Sequence, residues 1–421
     1  MKRVFVVVLV LALSVSLKAS SLLIPMDEAQ KNHLKAYGIT YWVLQHEIEA
    51  QWLLNYRGGS FMFPHNKDFE RECLVRGVSF EVIADAKANA ILAEIANPEL
   101  NMDAVKLEKS PKIAVYSPKG KQPWDDAVTL VLTYAEIPYE VVYDEEVMQG
   151  KLPLYDWLHL HHEDFTGQYG RFWYSSRNAA WYRQEVSSNE AMAHKLGFNK
   201  VSELKLAVAK KIRDFVAGGG FLFAMCSASD SYDIALAADG VDICESMFDG
   251  DPADPSMNSK MDFSKCFAFT GFDLDANPSN YEFSNIDTYF TRTNKGVNER
   301  NDYFSLFDFS AKWDPVPSML CQSHENLVKG FWGQTTGFDK SKIKPGVLVM
   351  GENKATSEAR YIHGEFAKGM WTFYSGHDPE DYQHRVEEPP TDLALHPNSA
   401  GYRLILNNIL FPAAKKKKQQ T

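Results

Sequence analysis

Three short stretches of this sequence carry residue types and spacings that can do chemistry. The first is Ala224-Met225-Cys226-Ser227-Ala228, where a cysteine leaves an apolar run and enters a helical pattern. A nucleophile on a strand-to-helix turn needs small residues two positions to either side, because the backbones approach closely there. Glycine is the usual choice and alanine is just tolerated. The dipole of the following helix would lower the thiol pKa. A buried core cysteine fits the same position. The second stretch is Gly376-His377-Asp378-Pro379-Glu380. Its imidazole can act as base for a nucleophile on an earlier strand, with Asp378 or Glu380 orienting it. The competing reading is a turn whose side chains cap backbone groups.

The third stretch is Leu158-His159-Leu160-His161-His162-Glu163-Asp164. His159 and His161 share one face of a strand, and His162 to Asp164 spill onto the loop at its carboxyl end. Two or three imidazoles with a carboxylate can hold zinc, but consecutive histidines rarely all ligate one ion. His161, His162 and Glu163 are therefore expected to line a substrate pocket, with Gly167 nearby as a source of backbone donors for an oxyanion. No metal or cofactor is expected.

The elements that must position these residues alternate. Short apolar strands are expected at Ile113–Tyr116, Tyr139–Tyr143, Leu154–Leu160 and Phe221–Met225. One helical pattern begins at Asp125-Asp126 and runs through Val128, Leu130, Val131, Leu132 and Tyr134; a second runs through Val201, Leu204, Val208, Ile212 and Phe215 into Gly218-Gly219-Gly220. A β-α-β-α rhythm of this kind predicts an α/β fold with a parallel sheet covered on both faces. Ligands bind such sheets at the carboxyl ends of the strands, where all three stretches fall. A buried strand at Val347–Met350 follows, then a hairpin of 360–366 and 369–374 across Ala367-Lys368, and a last helix at Gly401–Leu410. Residues 240–340 break the rhythm with Asp, Asn, Ser, Phe and many turn signals. They read as an irregular insertion that walls the site.

Residues 21–110 read as a helical N-terminal region. Ile39, Trp42, Val43, Ile48, Trp52 and Leu53 keep a helical spacing up to Arg57-Gly58-Gly59, and Phe80 to Ile95 is a second such pattern. Ahead of them, Lys2 and Arg3 precede the apolar run Phe5 to Leu17 and the small residues Ala19 to Ser21. This is the pattern of a secretory signal peptide over residues 1–20 and predicts an exported, periplasmic or extracellular protein. The main domain is expected over 111–412, with a basic tail at 413–421.

The chain has 421 residues and a net charge of −11, which argues against nucleic acid as a partner, since phosphate binding needs a positive surface. No stretch after the leader is apolar enough to span a membrane. In an oxidising compartment the five cysteines leave at least one thiol free, and Cys244 and Cys266 are close enough in sequence to pair. Aromatic residues make up 13% of the chain. Trp173, Tyr174, Trp181 and Tyr182 are of the type that stacks on sugars, though the same rings fill cores.

The run Gly218 to Cys226, with the late His377, resembles the class I glutamine amidotransferase-like superfamily. The ending Gly369 to Asp378 is similar to its ThuA-like branch. The resemblance covers roughly residues 110–235 and 343–412 and implies a flavodoxin-like, three-layer fold with Cys226 as nucleophile and His377 as base. Amidotransferases flank the cysteine with glycines and place glutamate two residues after the histidine; here alanines flank Cys226, and Glu380 comes three residues after His377. The whole chain also resembles an exported bacterial family that carries the label asparagine synthetase B. The motifs for that activity are missing: the chain begins Met1-Lys2-Arg3 without a cysteine after the initiator, and Arg57-Gly58-Gly59-Ser60 does not match the ATP-binding loop. Two functions follow as expectations. One is a hydrolase attacking an amide or ester of a small molecule or glycan through Cys226 and His377. The other is a non-catalytic module binding a carbohydrate or cell-envelope ligand.

Overall fold

The computed structural model describes residues 20–415 apart from positions 121 and 384. The expected signal peptide, bar its last residue, and positions 416–421 of the expected tail lie outside the described residues. Strands β1 (Ser20–Ile24), β2 (Ala50–Leu54), β3 (Ser60–Pro64), β4 (Glu81–Ala84) and β5 (Asp103–Leu107) form an antiparallel sheet in the order β4-β1-β3-β2-β5. Helices His33–Gln45, Lys67–Arg76 and Asp85–Ile95 accompany it.

This corrects the expectation of a helical N-terminal region. The first helical pattern joins two elements: the helix stops at Gln45, Glu47 takes a left-handed φ of 60°, and the chain turns into β2. Neither glycine nor proline marks that break, so the apolar spacing reads as continuous. The second pattern likewise starts as β4 and becomes a helix only at Asp85, where an acidic residue suits the first turn.

The larger sheet contains β6 (Ile113–Tyr116), β7 (Glu140–Val142), β8 (Trp157–Leu160), β9 (Phe221–Met225), β10 (Tyr303–Leu306), β11 (Leu327–Lys329), β12 (Phe338–Asp339), β13 (Leu348–Asn353), β14 (Glu358–Phe366) and β15 (Gly369–Tyr374). Their order is β11-β10-β13-β14-β15-β9-β8-β6-β7, with β12 beside β14. Pairing is parallel from β15 through β9, β8 and β6 to β7, and antiparallel elsewhere. The sheet is therefore mixed, not parallel throughout. The tight β14–β15 hairpin, found where the sequence predicts it, reverses the strand direction, and a short connection can join only antiparallel neighbours. Two strands of the 240–340 insertion, β10 and β11, then extend that edge, and a third, β12, pairs with β14; the remainder of the insertion is mostly turns and short helices.

Both faces of the sheet are covered, as alternation along β6 shows. Ile113 and Val115 enter one core with Val128, Leu132 and Ile405, while Ala114 and Tyr116 enter another with Leu204, Val208 and Ile212. Leu22, Tyr37 and Trp52 of the N-terminal sheet and its first helix share the former core. Contact between the two units is close: a Cβ on Gly38 would sit 1.8 Å from the Ala135 carbonyl oxygen. Arg403 reaches across the same seam, its Nε donating to the Tyr37 hydroxyl at 3.1 Å and its Nη1 to the Met26 carbonyl at 3.2 Å. Among the described residues no helix is long and apolar enough to cross a membrane.

Candidate functional site

The carboxyl ends of β6, β8, β9 and β15 meet at one place, and backbone hydrogen bonds tie their loops together. Cys226 N–H donates to the Gly376 carbonyl at 3.1 Å, Ala228 N–H to the His161 carbonyl at 2.9 Å, and His377 N–H to the Trp332 carbonyl at 2.8 Å. Cys226 directly follows β9 and has a φ of 50°, left-handed for a residue with a side chain. The helix Ala228–Ala237 begins two residues later. Such a backbone costs on the order of 1 kcal/mol or more and persists where the surroundings hold it. Here the Ser229 amide and hydroxyl both donate to the Cys226 carbonyl, at 3.1 and 2.7 Å.

Cys226 lines a cavity of about 320 Å³ with His162 and His377. Trp124, Phe172, Tyr281 and Trp332 form much of its wall. The expected lowering of the thiol pKa is overturned. Burial pushes Cys226 up to about 12, and the N–H groups of Ser227 and Gln334 offset this only in part. Desolvation of the thiolate outweighs the helix terminus.

His161 and His162 follow β8, and their rings crowd His377. Ring centroids lie 4.2 Å apart for His161 and His377, 5.2 Å for His161 and His162, and 6.0 Å for His162 and His377. One ligand nitrogen from each of the three lies within 4.8 Å of the others. Behind them is a residue read from sequence only as a helix start. Asp126 Oδ1 caps the helix Ala127–Tyr134 by accepting from Thr129 N–H at 2.8 Å. Its Oδ2 is 3.1 Å from His159 Nε2 and 3.0 Å from His161 Nδ1. Burial works to raise the Asp126 carboxyl, but the two imidazoles prevail and hold it well below the usual carboxylate range. An Asp-Asp pair between a strand and a helix, at the carboxyl end of a sheet, was the available signal for it.

The other expected site residues are elsewhere or engaged. Asp378 Oδ1 accepts from the amides of Glu380 and Asp381 at 2.9 and 3.3 Å, and its Oδ2 from the Thr391 hydroxyl at 2.8 Å. Glu380 Oε2 lies 3.2 Å from His396 Nδ1. Asp378 thus caps the loop that follows, and Glu380 faces His396. Glu163 is buried beside His162, with 3.9 Å between Oε1 and Nε2, and burial pushes its carboxyl well above the usual range. Gly167 is outside the cavity wall; a Cβ there would meet Ser202 at 2.8 Å. The neighbouring amides of Thr166, Gln168 and Gly170 already donate to Asp164. All five cysteines are free, which corrects the candidate Cys244–Cys266 pair. The 240–340 insertion does wall the site, through Tyr281, Tyr289, Trp332, Gly333 and Gln334.

No protein-family model and no curated protein matches this chain. Among solved structures it is similar to Cytoplasmic Protein STM3548 from Salmonella typhimurium, at 10% identity and a TM-score of 0.34, covering 72% of this chain and 100% of that one. It is similar to Cytoplasmic Protein STM1381 from Salmonella typhimurium LT2 at 11% identity and a TM-score of 0.32, with the same coverage. A third likeness is to Gan42B, a GH42 beta-galactosidase, at 10% identity and a TM-score of 0.26, covering 66% of this chain and 28% of that one.

Proposed function

We propose that this chain is an exported hydrolase that cleaves an amide or ester through Cys226 and His377, on a flavodoxin-like core of the amidotransferase-like type. One observation carries the reading: Cys226 sits in a left-handed backbone at a strand-to-helix turn and opens into the same cavity as His377. Strained residues of this kind are kept at sites that use them. The leader pattern of residues 1–20 supports export.

In this mechanism the substrate carbonyl enters between the aromatic walls. His377 accepts the thiol proton as sulfur attacks the carbonyl carbon, so the thiolate exists only while substrate is in place. The Ser227 and Gln334 amides, which point at the sulfur, are the donors nearest the developing oxyanion. Collapse of the tetrahedral adduct returns the proton to the leaving amine or alcohol. Water, deprotonated by His377, then cleaves the thioester and restores the thiol.

The aromatic wall formed by Trp124, Phe172, Tyr281 and Trp332 favours a second reading, a binding module for a carbohydrate or cell-envelope glycan. The two readings separate in one experiment. Purified protein is offered a panel of chromogenic esters, anilides and free glutamine, and mass spectrometry looks for an acyl group on Cys226. The hydrolase reading expects turnover that Cys226→Ala and His377→Asn each reduce at least 100-fold. Undiminished turnover by Cys226→Ala, or glycan binding with no turnover of any substrate, overturns it.

A further inference from the structure

We infer that His161, His162 and His377 form a binding site for one divalent transition-metal ion of the zinc class, with Asp126 holding His161 from behind. Neutral imidazoles bind zinc at about 2.0–2.1 Å, which sets the nitrogens of a tetrahedral site a little over 3 Å apart. Three ligand nitrogens already within 4.8 Å of one another need only small rotations to reach that spacing. They come from two loops that are separate in sequence but joined through Cys226 and Ala228 by the backbone hydrogen bonds to Gly376 and His161. The ligand set is therefore carried on a braced frame.

Asp126 supplies what a bare cluster of histidines lacks. Metal-bound histidines commonly present their other ring nitrogen to a carboxylate, which fixes the tautomer and raises ligand basicity. With Nδ1 of His161 3.0 Å from Asp126 Oδ2, Nε2 is the nitrogen left for an ion. Asp126 is itself held by the Thr129 amide and by His159. Its negative charge, beside the imidazoles of His159 and His161, also suits a cation on His161. His162 and His377 line the cavity, so the fourth coordination position would open towards it, as at zinc sites that take water or a ligand anion.

The inference goes beyond the hydrolase reading and does not need it. Where both hold, they compete at one nitrogen: an ion on His377 occupies the lone pair that would accept the thiol proton. Metal-loaded protein would then be inactive in thiol chemistry, and a chelator would restore it.

The test uses full-length mature protein stripped with a chelator and titrated with Zn²⁺ against a chromophoric competitor. Metal content is measured after gel filtration, and Co²⁺ absorption in the visible reports the ligand field. One equivalent is expected for the wild type. His162→Ala should weaken binding at least 100-fold, and Asp126→Asn about 10- to 100-fold with a shifted Co²⁺ spectrum. Cys226→Ala should still bind one equivalent, and does so even if the hydrolase reading fails. Circular dichroism checks that each variant is folded, and His377→Ala replaces His162→Ala if that variant is not. Wild-type binding well below one equivalent, or equal affinity in the folded histidine variant, overturns the proposal.

Discussion

Asp126 Oδ2 lies 3.0 Å from Nδ1 of His161, while the other oxygen of the same carboxylate closes the first turn of a helix. One side chain thus serves the helix and the candidate site together, and the two services can be separated by mutation. Asp126→Asn keeps an oxygen for the cap and loses the charge; Asp126→Ala loses both. A helix cap is worth about 1 kcal/mol, and a hydrogen bond to a charged group about 1.5–3 kcal/mol. Urea unfolding should show both variants destabilised, Asp126→Ala by about 1 kcal/mol more. Equal midpoints would mean that the cap contributes nothing.

Cys226 should be slow to alkylate in the unliganded protein. With the thiol pushed up to about 12, the thiolate fraction at pH 7.5 is on the order of 10⁻⁴ to 10⁻⁵. Peptide mapping after iodoacetamide treatment should show the Cys226 rate rising about tenfold per pH unit up to at least pH 10. A rate that levels off below pH 9 would show that a neighbouring group has already taken the proton.

Gly333 approaches the loop that carries His377. A Cβ there would come within 2.7 Å of the His377 nitrogen and 3.0 Å of the Gly376 carbonyl carbon. Both are backbone atoms that cannot swing aside. Gly333→Ala should move His377 and lower turnover more than tenfold, with a stability loss of about 1–3 kcal/mol from overpacking. Differential scanning calorimetry and steady-state kinetics on the same sample check this. Unaltered kinetics would show that His377 tolerates displacement.

The seam between the two sheets should be sensitive to acid. His33 and His324 stack there with ring centroids 4.0 Å apart. Burial, followed by the Arg403 charge, pushes His33 down to about 4; burial, His33 and Arg403 push His324 down to about 3. The unfolded chain protonates near 6.5 while the folded chain does not, so between those values the unfolded state binds more protons. The stability they contribute is complete above pH 6.5 and is lost progressively as pH falls towards 4. For His33 the loss amounts to no more than about 3.5 kcal/mol at 1.4 kcal/mol per pKa unit. Urea midpoints at pH 7.5 and 4.5 measure it, and His33→Gln should flatten the difference.

Local pattern was enough for much of this molecule. The apolar runs at 113–116 and 221–225, the hairpin across Ala367-Lys368, the amphipathic helix into the triple glycine and the closing helix at 400–410 are each specified by neighbours along the chain. They place Cys226, His161, His162 and His377 at the carboxyl ends of strands without further information, because chain direction and strand order suffice for that. Tertiary structure decided the rest. An apolar spacing tolerated by both helix and strand became β2 and β4 only when paired in an antiparallel sheet. Burial, which is a property of the assembled core, turned a thiol expected to be activated into one with a raised pKa. Asp378 and Glu380 adjoin His377 in sequence yet spend their oxygens on a loop and on His396, while the carboxylate that reaches the imidazoles comes from a different strand's end. Sequence proximity fixes which groups are present; through-space distance and desolvation fix which of them interact and in what charge state.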